Sequence, residues 1–551
     1  MNDECHRLFP ALSKEKFEKA VNSGYGGIVM KKAKRIISIL LVFVLSVGIF
    51  SVGAVAKEDE GKWIAAWGTS PVDFYISLAD YADGFIVNGK IPAGSLLRTE
   101  LTVTAAGEML RLKFSNEYGD KDVTFSHAVV AKTNTSKAGA IWTTTKRAIT
   151  FDGSTGVTIP AGKSVWSDPI AMKTDALDKL TVSMYFTEET YVKTCGLFGG
   201  QTYFSYSLPK KSDSRYMTNP SEVSIATGTN TYHIIPFLSQ IDTYAEDDDA
   251  YSAVFIGDST LVNGMTGYLS TRLVDAGEND IAIINKGIMG NRLFYKGNGL
   301  IGNLYGDALL DRFSRDALSV TGCELIIVKI GVNDILHPSS KSMGDKAPYV
   351  SAEEIIEGYK KLVEKAHENG KRIYFMEITP WNGYVRDILG NKNDIVWTES
   401  LQAMCDTCND WIKTNDVADG YINSDSLANP ENPTSFINQF TKDGIHFSEV
   451  GAIAFADCID VEKIFGIENS RTAAEIFGID PFKASASETV NKKLLKVRNI
   501  LLIVRQLLST LKVEYKPLHN LLDRIIGWLP DENDIAESAE RAANRVSSFR
   551  I

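Results

Sequence analysis

Four short polar turns hold residue types able to pass a proton and hold an anion. Ser259 stands in Phe255-Ile256-Gly257-Asp258-Ser259-Thr260, at the tip of an apolar run where the next helix starts. Its hydroxyl is exposed there and its N–H points at an anion bound at the helix terminus. An Asp-Ser pair before a helix is also an ordinary N-cap. Gly290, in Asn285-Lys286-Gly287-Ile288-Met289-Gly290-Asn291-Arg292, lets a backbone N–H approach a substrate oxygen, or simply supplies positive φ. Asn333, in Gly331-Val332-Asn333-Asp334, aims an amide at the same oxygen or serves as a turn residue. Asp443-Gly444-Ile445-His446 lets a carboxylate hold one imidazole nitrogen while the other faces a nucleophile. Asp also stands three residues before His6 and His337, but of seven histidines His446 alone follows an Asp-Gly turn at that spacing. Asp258 and Asp334 are read as holding their turns.

The elements around these turns set where they meet. Ala253–Ile256, Ile281–Ile284, Leu325–Ile330 and Ile373–Met376 are continuous β-branched runs, which predict strands buried on both faces. Helix-period segments at Ala352–Glu368 and Glu399–Lys413 lie between or after them. Strand then helix, repeated, predicts an α/β domain over 246–481 with a flavodoxin-like parallel sheet, whose ligands bind beyond the C-terminal strand ends. Residues 57–245 differ. Short alternating runs such as Met109–Phe114 and Leu180–Phe186, with turns at Asp152-Gly153 and Ala161-Gly162, predict an all-β sandwich. Glu246-Asp247-Asp248-Asp249 reads as a flexible acidic linker between the two.

Order and spacing make the four turns informative together. Gly-Asp-Ser, a glycine on the next βα turn, Gly-x-Asn-Asp on the third and Asp-x-x-His near the end form the block pattern of the GDSL, or SGNH, hydrolases, which Tyr251–Ile464 resembles. Thr260 replaces the leucine of the family's name, a position outside its catalytic set. A further resemblance, carried by Trp63-Ile64-Ala65-Ala66-Trp67, Ser70-Pro71, Ile159-Pro160-Ala161-Gly162, Gly200-Gln201-Thr202 and Gly290-Asn291-Arg292-Leu293, is to secreted SGNH esterases of the xylan-esterase-like group with an N-terminal β-sandwich. It implies Ser259, Asp443 and His446 as catalytic residues, an oxyanion hole of Ser259, Gly290 and Asn333, no metal or organic cofactor, and acylated plant polysaccharide as substrate. Acetyl is the implied acyl group. Longer acyl esters, acyl transfer, and an inactive carbohydrate-binding or wall-attached protein are the alternatives. Trp381 and Tyr384, after the fourth strand, read as an aromatic platform for a sugar ring or a packed loop; Arg292 reads as a partner for a uronic acid or a helix cap.

Composition bounds the rest. With 551 residues, 44% of them hydrophobic, the chain is long enough for two or three domains. A net charge of −11 disfavours a general nucleic-acid binder. Lys31, Lys32, Lys34 and Arg35 precede the apolar run Ile36–Phe50 and the small-x-small site Ala54-Val55-Ala56, so 1–56 reads as a mis-annotated start plus a signal peptide. The true start is read at Met30 of a bacterial gene, since Gly26-Gly27 can be encoded by a ribosome-binding sequence. An uncleaved signal anchor is the alternative; either leaves the remaining chain outside the cell. Cys405 and Cys408 have Cys-x-x-Cys spacing but fit one buried helix face better than zinc. Residues 482–551 read as a helical extension with apolar stripes at Leu494–Leu511 and Leu518–Leu529. These stripes pack internally, self-associate, or contact a wall or membrane surface.

Overall fold

The computed structural model describes residues 61–482 apart from 75–89, 92, 137–138, 206–223, 226–234, 263, 298–301, 342–346, 385 and 389–390. The signal and start expected in 1–56, and the helical extension beyond Phe482, lie outside the described residues.

Residues 61–245 form an antiparallel β-rich region. Its strands follow the two-residue period of the sequence: in Gly107–Ser115, Leu110, Leu112 and Phe114 are buried while Met109, Arg111 and Lys113 are partly exposed. A five-stranded sheet runs Lys62–Gly68, Leu238–Ala245, Gly107–Ser115, Ser164–Trp166, with Ile170–Thr174 also paired to Gly107–Ser115. A six-stranded sheet is centred on Ser95–Thr102 and Lys179–Phe186. Phe114 of the first sheet and Phe186 of the second both contact Phe125.

From Tyr251 strands and helices alternate. β1 (Tyr251–Gly257), β2 (Ile281–Gly287), β3 (Cys323–Lys329), β4 (Arg372–Met376) and β5 (Gly420–Ile422) form a parallel sheet in the order β2-β1-β3-β4-β5. β5 has only three residues and one glycine, too little apolar run to be read from sequence. The helices are α1 (Met265–Asp275), α2 (Ala352–Glu368), α3 (Glu399–Thr414) and α4 (Glu449–Asp457), with shorter turns between. Alternate residues of β1 serve the two faces. Ala253 and Phe255 join a core with Leu269 of α1 and Phe455 of α4, while Val254 and Ile256 join one with Leu362 of α2 and Cys408 of α3. α2 starts where sequence puts it, because Ser351 and Glu354 form a reciprocal capping box. Strand order reverses at β1, so its C-terminal end opens on the crevice where such sheets bind ligands.

Glu246–Asp249 is an exposed turn closed by the Ala250 N–H on the Asp247 oxygen, and β1 starts immediately after it. The β-rich region covers the β2 edge of the parallel sheet. Thr104 Oγ1 lies 3.1 Å from both the N–H and the carbonyl oxygen of Ile283, and Ser252 of β1 donates its hydroxyl to the Ala65 oxygen. An edge strand's main-chain groups need partners when water is excluded. Thr104, in the loop after the strand Ser95–Thr102, supplies them at Ile283, and one hydrophobic core runs through both parts.

Candidate active site

Ser259 sits on a turn that sterics and one carboxylate define. A Cβ at Gly257 would fall 1.8 Å from the Lys329 oxygen, so β1 must end in glycine for β3 to lie this close. Asp258 accepts from the Thr260 N–H at 2.9 Å and its hydroxyl at 2.7 Å, capping the single 3-10 turn Ser259–Leu261. The cap is therefore Asp258, and the Ser259 hydroxyl is left for His446, with Oγ 2.9 Å from Nε2. The helix expected to start at Ser259 is this single 3-10 turn, and α1 begins only at Met265. Burial pushes the Asp258 carboxyl above its usual range, against the pull of the Lys329 ammonium and the Thr260 donors.

His446 is fixed by its own loop. Asp443 Oδ2 lies 2.6 Å from Nδ1, while Oδ1 accepts from the N–H groups of Ile445 and His446 at 3.1 and 2.8 Å. Thr441 donates its hydroxyl to the His446 oxygen and accepts from the Gly444 N–H. Gly444 has φ +100°, and a Cβ there would meet the Tyr384 nitrogen at 2.4 Å. Burial raises the Asp443 carboxyl, but the hydrogen bond and charge of His446 with the two amides outweigh it and hold it below the ordinary range. An ionised Asp443 accepts from Nδ1–H, which leaves the Nε2 lone pair facing the serine.

The next two turns meet beside this pair of loops. Gly290 takes φ +65° with the Tyr305 ring where a side chain would go, so conformation and close packing both require glycine. Asn333 opens the short helix Val332–Leu336 and donates its amide to the Asn291 oxygen at 3.1 Å. That bond uses one of the amide's two hydrogens. Asp334 accepts from the Leu293 N–H at 2.8 Å and faces Arg292 at 3.6 Å. Burial moves its carboxyl up to about 6, against the opposing pull of Arg292 and the loop amides.

Residues 253–459, from β1 to just beyond α4, match the model of the GDSL-like lipase/acylhydrolase family. The chain carries a GDSL/SGNH acylhydrolase domain. Solved structures similar to this chain include a GDSL-like lipase from Bacteroides thetaiotaomicron VPI-5482, at 17% identity over 39% of this chain and 85% of that one, TM-score 0.26. The acetyl xylan esterase AlAXEase has 19% identity over 38% and 96%, TM-score 0.28. Axe2, an acetylxylan esterase from Geobacillus stearothermophilus, has 19% identity over 40% and 96%, TM-score 0.30. No curated protein matches the chain. At such scores the assignment stands on the family match and the block residues.

Within the acylhydrolase domain the expected substrate residues separate. Trp381 is 0% exposed and donates Nε1–H to the Cys405 sulfur, so the packed-loop alternative holds and the sugar platform is corrected. Arg292 is equally buried, donates to the Pro348 oxygen and stacks on Tyr295; it holds Asp334 rather than a uronic acid. Tyr384 is half-buried with its ring edge-on to His446, centroids 6.1 Å apart. Cys405 and Cys408 are buried on α3, where burial pushes the Cys405 thiol up to about 12. Arg312, absent from the sequence expectations, is buried among the ends of β1 and β2. Its signal was present: Arg312 and Asp316 stand four apart on the stripe of Leu309, Phe313 and Ala317, a charged pair on a core-facing stripe.

Proposed function

We propose that the protein is a serine esterase that removes acyl groups, O-acetyl in the first place, from carbohydrate. The observation that carries the reading is the relay from Ser259 Oγ through both nitrogens of His446 to Asp443, at 2.9 and 2.6 Å. His446 takes the hydroxyl proton as Ser259 attacks the ester carbonyl. Asp443 orients the ring and stabilises its cation. The N–H groups of Ser259 and Gly290 and the Asn333 amide receive the tetrahedral oxyanion, each such donor being worth about 10²–10³ in rate. Collapse expels the alcohol, which takes the proton from His446. A water that gives its proton to the same nitrogen then releases the acid and restores the serine.

Support for a sugar alcohol comes from two directions. Acetylated xylan is the substrate class in the names of two structural neighbours. A cleft of about 800 Å³ between the β-rich region and α1 reaches Val262 and Gly264, beyond the turn of Ser259, with hydroxyls such as Thr104, Thr266 and Ser270 set among apolar groups such as Trp67, Leu101 and Phe198; Ser259 and His446 stand outside its wall. A neutral polyhydroxylated chain suits such walls. The basic cluster and apolar run of residues 31–50 support export, so the substrate is encountered outside the cell. The stripes beyond Leu494 pack on each other or on the catalytic domain, or serve self-association or contact with a wall or membrane surface.

The test is acetate release from 4-nitrophenyl acetate and from acetylated xylan, beside Ser259→Ala. Loss of a nucleophile requires a fall of about 10³ or more. A native protein inactive on both, or a variant equal to it, overturns acetyl-ester hydrolysis through Ser259 and moves longer acyl groups ahead.

A further inference from the structure

We infer that Arg312 is the positioning residue for the oxyanion side of the site, and that the β-rich region completes this support through Ser70. The inference rests on the esterase reading above. Arg312 is 1% exposed, and its guanidinium reaches the two segments that lead to Ser259 and Gly290, and through Asn291 it is linked to the turn of Asn333. Nη2 donates to the Gly257 oxygen at 2.9 Å, two residues before Ser259. Nη1 donates to the Lys286 oxygen at 3.0 Å, at the end of β2 on the way to Gly290. Nε and Nη2 both donate to Asn291 Oδ1, at 3.1 and 2.9 Å. Asn291 directly follows Gly290, and its main-chain oxygen receives the Asn333 amide. Its own amide nitrogen is spent on the oxygens of Tyr305 and Asp307, so Oδ1 must face the guanidinium. One planar fork thus sets the separation of the Ser259 and Gly290 turns, and holds in place the Asn291 residue on which the Asn333 amide rests.

Ser70 closes this arrangement from outside the matched segment 253–459. Its hydroxyl accepts from Arg312 Nη1 at 3.1 Å and donates to the Lys286 oxygen at 3.1 Å. Neighbouring Thr69 is held by the Ser239 oxygen and receives the buried Lys286 ammonium on its own carbonyl at 2.9 Å. Asp316, 3.1 Å from Nη1, keeps the guanidinium paired in the core. Oxyanion donors act on an atom that carries charge only in the transition state, so a shift in their spacing lowers kcat and leaves KM nearly unchanged.

The experiment compares the full chain with Arg312→Lys and Ser70→Ala on 4-nitrophenyl acetate, with kcat taken per Ser259 site titrated to completion by a fluorophosphonate. Arg312→Lys is expected to lower kcat about 10²-fold, the cost of a misplacement of about 1 Å. Ser70→Ala removes one buried bridge and lowers kcat about tenfold. KM stays within about twofold in both. Unchanged kcat per titrated site, or a loss that only follows the folded fraction, overturns the inference. Where Arg312→Lys does not fold, Ser70→Ala decides alone. A native protein that neither hydrolyses nor takes the label overturns the esterase reading and this inference together. An active native protein with unaffected variants overturns this inference alone.

Discussion

Asn333 donates its side-chain amide to the main-chain oxygen of Asn291 at 3.1 Å, which ties the turn after β3 to the turn after β2. The bond holds the amide in one orientation beside Gly290, the neighbour of Asn291 in the chain. A donor fixed in the free protein costs no reorganisation when charge develops on the substrate oxygen. Asn333→Ala is therefore expected to lower kcat by about 10²–10³ with little change in KM. Steady-state kinetics on 4-nitrophenyl acetate checks it, and an equal rise in KM would assign Asn333 to ground-state binding instead.

Asp443 carries both an activity and a stability prediction. Asp443→Asn leaves a neutral partner for Nδ1 and allows the ring the wrong tautomer, so kcat is expected to fall about 10³-fold or more. The carboxyl is held below its ordinary value of 3.8 in the folded chain, so its contribution to stability is present above that value and is lost as pH falls through the folded value. Urea unfolding of the native protein and the variant should differ most at neutral pH and converge in acid below 3.8. A difference that grows in acid would mean the group is raised, not lowered.

Trp381 and Tyr384 are expected to behave oppositely although only Asn382 and Gly383 lie between them. Trp381 is a core side chain, so Trp381→Ala costs about 3–5 kcal/mol of stability and acts on activity only through the folded fraction. Tyr384 lies edge-on to His446, so Tyr384→Ala lowers kcat/KM while the thermal midpoint moves little. Thermal unfolding and kinetics on the two variants separate the roles; a stable Trp381→Ala with raised KM on acetylated xylan would restore the sugar platform.

The cleft beside α1 gives a test of the carbohydrate reading that spares the chemistry. A side chain at Gly267 meets nothing within 4 Å and points into open space on a helix of ordinary conformation. Gly267→Trp fills part of that space. It is expected to raise KM for acetylated xylo-oligosaccharides about tenfold, as loss of one good contact region does, and to leave 4-nitrophenyl acetate unaffected. Equal kinetics on the oligosaccharides would remove the cleft from the substrate path.

Sequence by itself determined the features that depend on local chemistry. The buried runs of β1 to β4, the capping box of α2, and the glycines at the strand ends follow from periodicity, capping and sterics within a few residues. So does the Asp443–His446 contact, because three residues on a tight loop bring carboxylate to imidazole without help from the rest of the chain. Tertiary structure decided which side chains face the crevice. Arg292 and Arg312 are alike in sequence as arginines near the oxyanion loop, yet one pairs Asp334 in the core and the other gathers Gly257, Lys286 and Asn291. A guanidinium with five donors takes whatever acceptors the packed strand ends leave it, and those come from segments up to 242 residues apart, as with Ser70. The union of the β-rich region with the β2 edge has the same cause. The unpaired main-chain groups of an edge strand demand partners, and only the folded arrangement shows that Thr104, 179 residues away, satisfies them at Ile283.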